Sequence, residues 1–116
     1  MIRPPDQERV YLEALLEAYS SLPETPARPS RQDRRLAREL CRKGVPLRTV
    51  RAAFILATAR RTLRTGPPLP QVRTLHYFLP VIDEVLEHPL EPGYIDYLTA
   101  KLKSFASKKT ALLGER

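Results

Sequence analysis

Apolar residues recur at spacings of three and four along most of this chain, and alternation at every second position is nowhere sustained. The first pattern places side chains on one face of a helix, and the second would have marked a strand. The longest uninterrupted helical stretch is Val45 to Arg64, VPLRTVRAAFILATARRTLR. Val50, Phe54, Ala57 and Arg61 share one face of it, while Ala53, Leu56 and Leu63 form a second apolar strip alongside. A helix apolar over so much of its circumference is buried among several neighbours. Only its ends are basic, with Arg48 and Arg51 near the start and Arg60, Arg61 and Arg64 at the finish.

The remaining pattern predicts four further helical segments around this central one. A first helix spans about Pro5 to Leu22, with Val10 or Tyr11, then Leu12, Leu15, Leu16 and Tyr19 facing inward. Pro5 suits a first turn, and Asp6 and Glu8 suit the positive end of the helix dipole. The three prolines of SSLPETPARPS end that helix and predict an extended connection across the surface. Ser30 then opens a second helix as N-cap, with Asp33 three residues on in the place of a capping-box acid. It continues to Lys43, burying Leu36, Leu40, Ala37 and Cys41, and Gly44 stands at the position that closes helices.

After the breaker RTGPPLPQ, Leu75, Phe78, Leu79, Ile82, Val85 and Leu86 resume the helical period, with Pro80 in their midst. Either one helix kinks at Pro80, or a short turn gives way to a new helix that has Pro80 at its start. A last helix is predicted from Tyr94 to about Ser107, with Ile95, Leu98, Leu102 and Phe105 on one face. The fold class is therefore all-α, a compact bundle of about five helices. Residues 1–107 form a single helical domain, and 108–116 are expected to be a flexible basic tail.

Composition agrees with that class. A chain of 116 residues supports one modest core, and 12 prolines against 4 glycines favour punctuated helices over hairpins. Cys41 is the lone cysteine, which excludes an intramolecular disulfide and fits a reducing, cytoplasmic setting. No apolar run approaches the roughly 20 residues of a membrane span, so no membrane partner is expected. The opening MIRPPDQERVYLEALLEAY has acids where a secretory leader would be uniformly apolar.

Charge changes the picture more than composition does. The net charge of +7 is concentrated: residues 28–64 hold twelve Arg and Lys against Asp33 and Glu39, a net of +10. Residues 80–97 hold five acids and no base, a net of −5. A localised excess of this kind is what a polyanion-binding face needs. The candidate nucleic-acid-binding residues are Arg31, Arg34, Arg35, Arg38, Arg42 and Lys43, then Arg48 and Arg51, and finally Arg60, Arg61 and Arg64. Against them stands the ordinary fate of charge runs, a solvated helix face. Few local acids can form pairs with these bases at i,i+4, but the acidic 83–96 stretch could reach them through the fold.

Within this region LCRKGVPLRTVRAAF places glycine between two helices in the manner of a helix-turn-helix, which would span 31–64. Such a unit would present Arg48, Thr49, Arg51 and Ala52 to a major groove. Leu40 and Lys43 depart from the usual pattern, and a plain αα-corner with exposed arginines fits equally well. His76, Tyr77 and Phe78 offer a stacking platform or part of the core, and Tyr94 and Tyr97 carry the same ambiguity. The catalytic inventory is thin. His76 and His88 lack zinc-site spacing, Asp83, Glu84 and Glu87 read more simply as a solvated face than as a metal cluster, and no phosphate-cradling glycine loop occurs. Neither an enzyme, a metal nor a cofactor is expected.

The runs LPETP, QDRRLA, LATARR and LHYFLPVIDE, with the Gly44, Pro46, Leu47 passage between them, carry a resemblance from about Leu22 to Leu102. Asp33, Arg34, Arg35, Leu36, Arg60, Arg61 and His76 to Pro80 are among the matching positions. The chain resembles short bacterial helical proteins that accompany replication or mobile-element functions, in the broad manner of DnaD-like helicase-loading domains. That resemblance implies a DNA transaction and assigns no site. The expected partner is nucleic acid, DNA before RNA, in replication, transposition or transcriptional control. The rival expectation is a protein-interaction adaptor or a homodimer, joined through basic and acidic faces.

Overall fold

The structure, a computed structural model, describes residues 5–114, and side chains over 6–106. Among the described residues there are five α-helices and no strand. They are α1 (Pro5–Ser20), α2 (Arg31–Arg42), α3 (Leu47–Thr62), α4 (Leu79–Glu87) and α5 (Pro92–Gly114), with a short 3₁₀ helix at Leu75–Phe78. The all-α bundle expected from the pattern is what forms. No described helix is long and apolar enough to cross a membrane.

The central position of α3 follows from its composition. Val50, Ala52, Ala53, Phe54, Leu56, Ala57, Thr58 and Ala59 are all buried. Such a run of alanines lets neighbouring helices approach closely, and α3 packs on α1, α4 and α5 at once. Phe54 meets Tyr19 of α1 and Phe78 of the 3₁₀ helix, with ring centroids 6.4 and 5.0 Å away. Tyr19 and Phe78 close the triangle edge-on at 6.0 Å. Three elements distant in sequence are joined by these rings.

On α1 the inward residue is Tyr11, while Val10 stays 61% exposed. The expected α1 ends sooner than Leu22, at Ser20, and the connection after it is not extended throughout. Residues 21–25 turn back on themselves, and the Thr25 hydroxyl lies within hydrogen-bonding distance of the Tyr19 and Leu22 carbonyls, at 2.9 and 2.7 Å. That hydroxyl supplies a donor to backbone that the prolines leave without helical partners.

At the other end of the connection the capping box forms as the sequence indicates. The Asp33 amide donates to Ser30 Oγ at 3.1 Å, and the Ser30 amide donates to Asp33 Oδ2 at 2.9 Å. At the far end of α2, Gly44 takes φ +77°, and the Gly44 and Val45 amides donate back to Cys41 and Leu40. This is the Schellman closure, and its left-handed residue is one that glycine fills without steric cost.

Pro80 resolves as the second of its two readings. The 3₁₀ helix ends at Phe78 and α4 begins at Leu79, with Pro80 in its first turn, where a missing amide costs no helical bond. The last helix starts earlier and runs further than expected, from Pro92 to Gly114 and not to about Ser107. The tail expected at 108–116 involves side chains outside the described residues.

The Tyr19 hydroxyl is buried and has no hydrogen-bond partner among the described residues. Burial, and after it the negative charge of Asp33, push its pKa up from 10.0 to about 12. The folded chain therefore keeps the phenol proton where the unfolded chain has lost it. This contribution is intact below pH 10 and declines as pH rises towards 12, by about 1.4 kcal/mol per pH unit. Tyr19→Phe is expected to stay within about 1 kcal/mol of the parent at neutral pH. Between pH 10 and 12 it should lose stability less steeply than the parent in urea titrations. Parallel slopes for the two proteins would contradict the burial of this hydroxyl.

Candidate nucleic-acid interface

The basic residues of α2 form one stripe. Arg31, Arg34, Arg35, Arg38 and Arg42 are all exposed, and spacings of three, four, seven and eleven put them on one side of a helix. The opposite side carries Asp33, Leu36, Ala37, Leu40 and Cys41, all buried. α2 rises about 1.5 Å per residue, so the stripe spans about 16 Å. Lys43 is exposed at the corner beyond it, and Arg48 and Arg51, exposed one turn apart, open α3.

Little in the fold neutralises this surface. Among the described residues, Arg31, Arg34, Arg35, Lys43, Arg48 and Arg51 enter no ion pair. Arg38 and Arg42 share Glu8 of α1 at 3.7 and 3.9 Å, with about half of the Arg38 side chain and most of the Arg42 side chain in solvent. Pairs so loose and exposed contribute little energy. The stripe keeps almost all of its charge.

The three arginines at the end of α3 do something else. Arg60 grips Glu84 of α4 with two hydrogen bonds, at 2.9 and 2.6 Å. The hydrogen bond from Arg60 holds the Glu84 carboxyl below its ordinary pKa. Arg61 has a side chain only 10% exposed and donates to Glu24, to the Tyr77 hydroxyl and to the Pro70 carbonyl. Arg64 donates to the Pro67 carbonyl. The acidic 83–96 stretch thus does reach the basic region, but only at this end of it. Sequence separations of 24 and 37 leave no local sign of such pairs.

The stacking platform is also broken up. Phe78 is core, and the ring of Tyr77 lies under the Arg61 guanidinium, 5.2 Å from its centroid. Tyr94 and Tyr97 are exposed and stacked at 6.2 Å, with the Lys101 ammonium 5.6 Å from the Tyr97 ring. Their surroundings are acidic in sequence, which disfavours a phosphate backbone there. Among the described residues no group of His, Cys, Asp or Glu is placed to hold a metal ion.

Two positioning residues escaped the sequence reading in part or altogether. Asp33, besides capping α2, accepts the Leu75 amide through Oδ1 at 2.9 Å, with the carboxylate fully buried. That bond ties the basic helix to the 3₁₀ helix and so to the aromatic core. The Tyr11 hydroxyl donates to the Val45 carbonyl at 2.8 Å and fixes the corner between α2 and α3 from beneath. The capping motif announced only the first of these roles for Asp33, and nothing local announced Tyr11. At this corner α2 packs mainly on α1, and α3 packs on α1, α4 and α5. Comparison of the chain with protein-family models, with curated proteins and with solved structures gives no match.

Proposed function

We propose that the protein binds DNA as an accessory module in replication, transposition or transcriptional control, gripping the phosphate backbone with α2 and the start of α3. The observation that carries this reading is the stripe of unneutralised arginines on a helix anchored from behind by Asp33. Arginine forks suit phosphate oxygens, and rigid anchoring limits the entropy lost when they bind. Because α2 and α3 pack on other elements more than on each other, the reading favours backbone contact over insertion of α3 into a groove. Backbone contact positions a protein on DNA without selecting a sequence.

Six neutralised phosphates would give log affinity a slope of about −5 against log salt on a duplex. The test titrates a labelled duplex, a single strand and an RNA at two salt concentrations. The expected result is duplex binding at low salt that weakens steeply as salt is raised. Charge reversal at Arg34, Arg35 and Arg38 should weaken it by about 100-fold or more and flatten the slope. Arg60→Ala, which touches only the Glu84 pair, should leave affinity within about twofold of the parent. Absence of binding at low salt, or indifference to the triple reversal, would overturn the reading in favour of an adaptor that docks an acidic protein surface.

A further inference from the structure

The last turns of α3 border a cleft of about 700 Å³ between the end of α1, the loop 64–70 and α5. Its floor is apolar. Leu22, Ile55 and Leu102 come from three separate parts of the chain and pack partly against the core, with Thr58 buried among them. Leu69 and Phe105 stand at its sides, 39% and 43% exposed. Side chains of that kind would be better buried, and the hollow between them has the size of a small-molecule pocket.

The hollow is held open by the chain itself. Pro67 and Pro68 form one wall, and prolines have little freedom to fold inward. Arg64 holds that wall at the Pro67 carbonyl, and Arg61 holds its end at the Pro70 carbonyl, 2.6 Å away. The Val72 amide then donates to the Glu24 carbonyl at 2.9 Å, which fixes the loop where it rejoins the fold. A loop secured at three successive points cannot settle onto the apolar floor, so the site exists before any ligand arrives. Preformed sites spend less entropy on binding.

Charge then selects the ligand. Among the described residues Glu24 is the one acid lining the cleft, and Arg61 occupies it at 2.7 Å. Lys103 and Arg64 also line the cleft, and neither is paired with an acid among the described residues. The lining is thus apolar inside and positive at its edge, with Thr62 and Thr99 among the lining residues and the Thr99 hydroxyl donating to the Ile95 carbonyl. We propose that this cleft binds a small amphipathic monoanion, an apolar body such as a medium-length acyl chain ending in a carboxylate. The chain lies against Ile55, Leu102 and Phe105, and the carboxylate meets the Lys103 ammonium and the remaining guanidinium nitrogens of Arg64. The stripe on α2 is no part of this cleft, so DNA binding and ligand binding stand or fall separately.

Decanoate is the probe, titrated into isotope-labelled protein and followed by amide chemical shifts. The expected result is saturable one-site binding with a dissociation constant on the order of 100 μM, with shifts centred on Ile55, Thr58, Leu102 and Phe105. Lys103→Glu should weaken decanoate about tenfold or more while leaving decanol unchanged. Thr62→Trp, which fills the cleft from a partly exposed position, should abolish binding of both. Leu69→Asp provides a second block at a surface site, should the tryptophan variant fold poorly. Non-saturating or scattered shifts, shifts centred on α2, decanol binding as tightly as decanoate, or an unchanged affinity in Lys103→Glu would each overturn the proposal.

Discussion

Replacing Asp33 by alanine is expected to cost about 2–4 kcal/mol of stability, a large loss for a polar substitution. The carboxylate is fully buried and accepts two backbone amides, Ser30 at 2.9 Å and Leu75 at 2.9 Å. Alanine removes both acceptors and leaves the buried Leu75 amide facing space that water does not readily enter, while the amide of exposed Ser30 can turn to solvent. The buried orphan costs about 1–3 kcal/mol, and the lost cap adds about 1 kcal/mol. The Ser30→Ala control removes only the reciprocal cap and should cost about 1 kcal/mol. Asp33→Asn belongs between them, since an amide keeps one oxygen but turns its NH2 towards one of the two donors. Urea unfolding gives the three values, and hydrogen exchange at the Leu75 amide separates the roles. That exchange should quicken in Asp33→Ala and stay slow in Ser30→Ala. If the two alanine variants lose equal stability, the tie from α2 to the 3₁₀ helix has no energetic weight.

How much of this was legible beforehand follows from the range of the interactions involved. Ser30, Asp33 and Gly44 act on residues three to five positions away, so capping rules find them in a single sequence. The same holds for Pro80, whose missing amide leaves only a kink or a helix start open. The burial of α3 was legible because so many of its positions are apolar. What eluded the sequence depends on contacts across the fold. Asp33 reaches Leu75 over 42 positions, and Arg61 reaches Glu24 over 37. No period or spacing encodes such pairs, and so the eleven basic candidates looked alike. Packing divides them into an open stripe on α2 with the start of α3, and a set at the far end of α3 that secures α4 and the neighbouring loops. The acids hold the balance, because Glu84 and Glu24 fold against the second set and Glu8 barely touches the first.

Phe54→Ala is expected to be comparably severe, about 3–5 kcal/mol, and by a different route. The ring is 2% exposed and lies where α1, α3 and the 3₁₀ helix meet, so its removal opens a cavity bordered by three elements. Collapse of that cavity is hindered on each side. Tyr19 brings an unpartnered hydroxyl that gains nothing by moving further into apolar surroundings. Phe78 is fixed at the end of a helix whose first amide is held by Asp33. A domain of this size should lose about 4 °C of melting midpoint per kcal/mol, so the expected shift is about 12–20 °C. Phe54→Leu keeps most of the volume and should cost about 1–1.5 kcal/mol. Phe78→Ala tests the reason for the difference. Phe54 and Phe78 touch at 5.0 Å, so the double alanine variant should lose less than the two single variants added together. Strict additivity, or a midpoint shift under about 3 °C for Phe54→Ala alone, would place the centre of the core elsewhere. For the DNA binding proposed above, the expected consequence is that a fold losing this junction loosens the hold on α2 and with it the geometry of the arginine stripe.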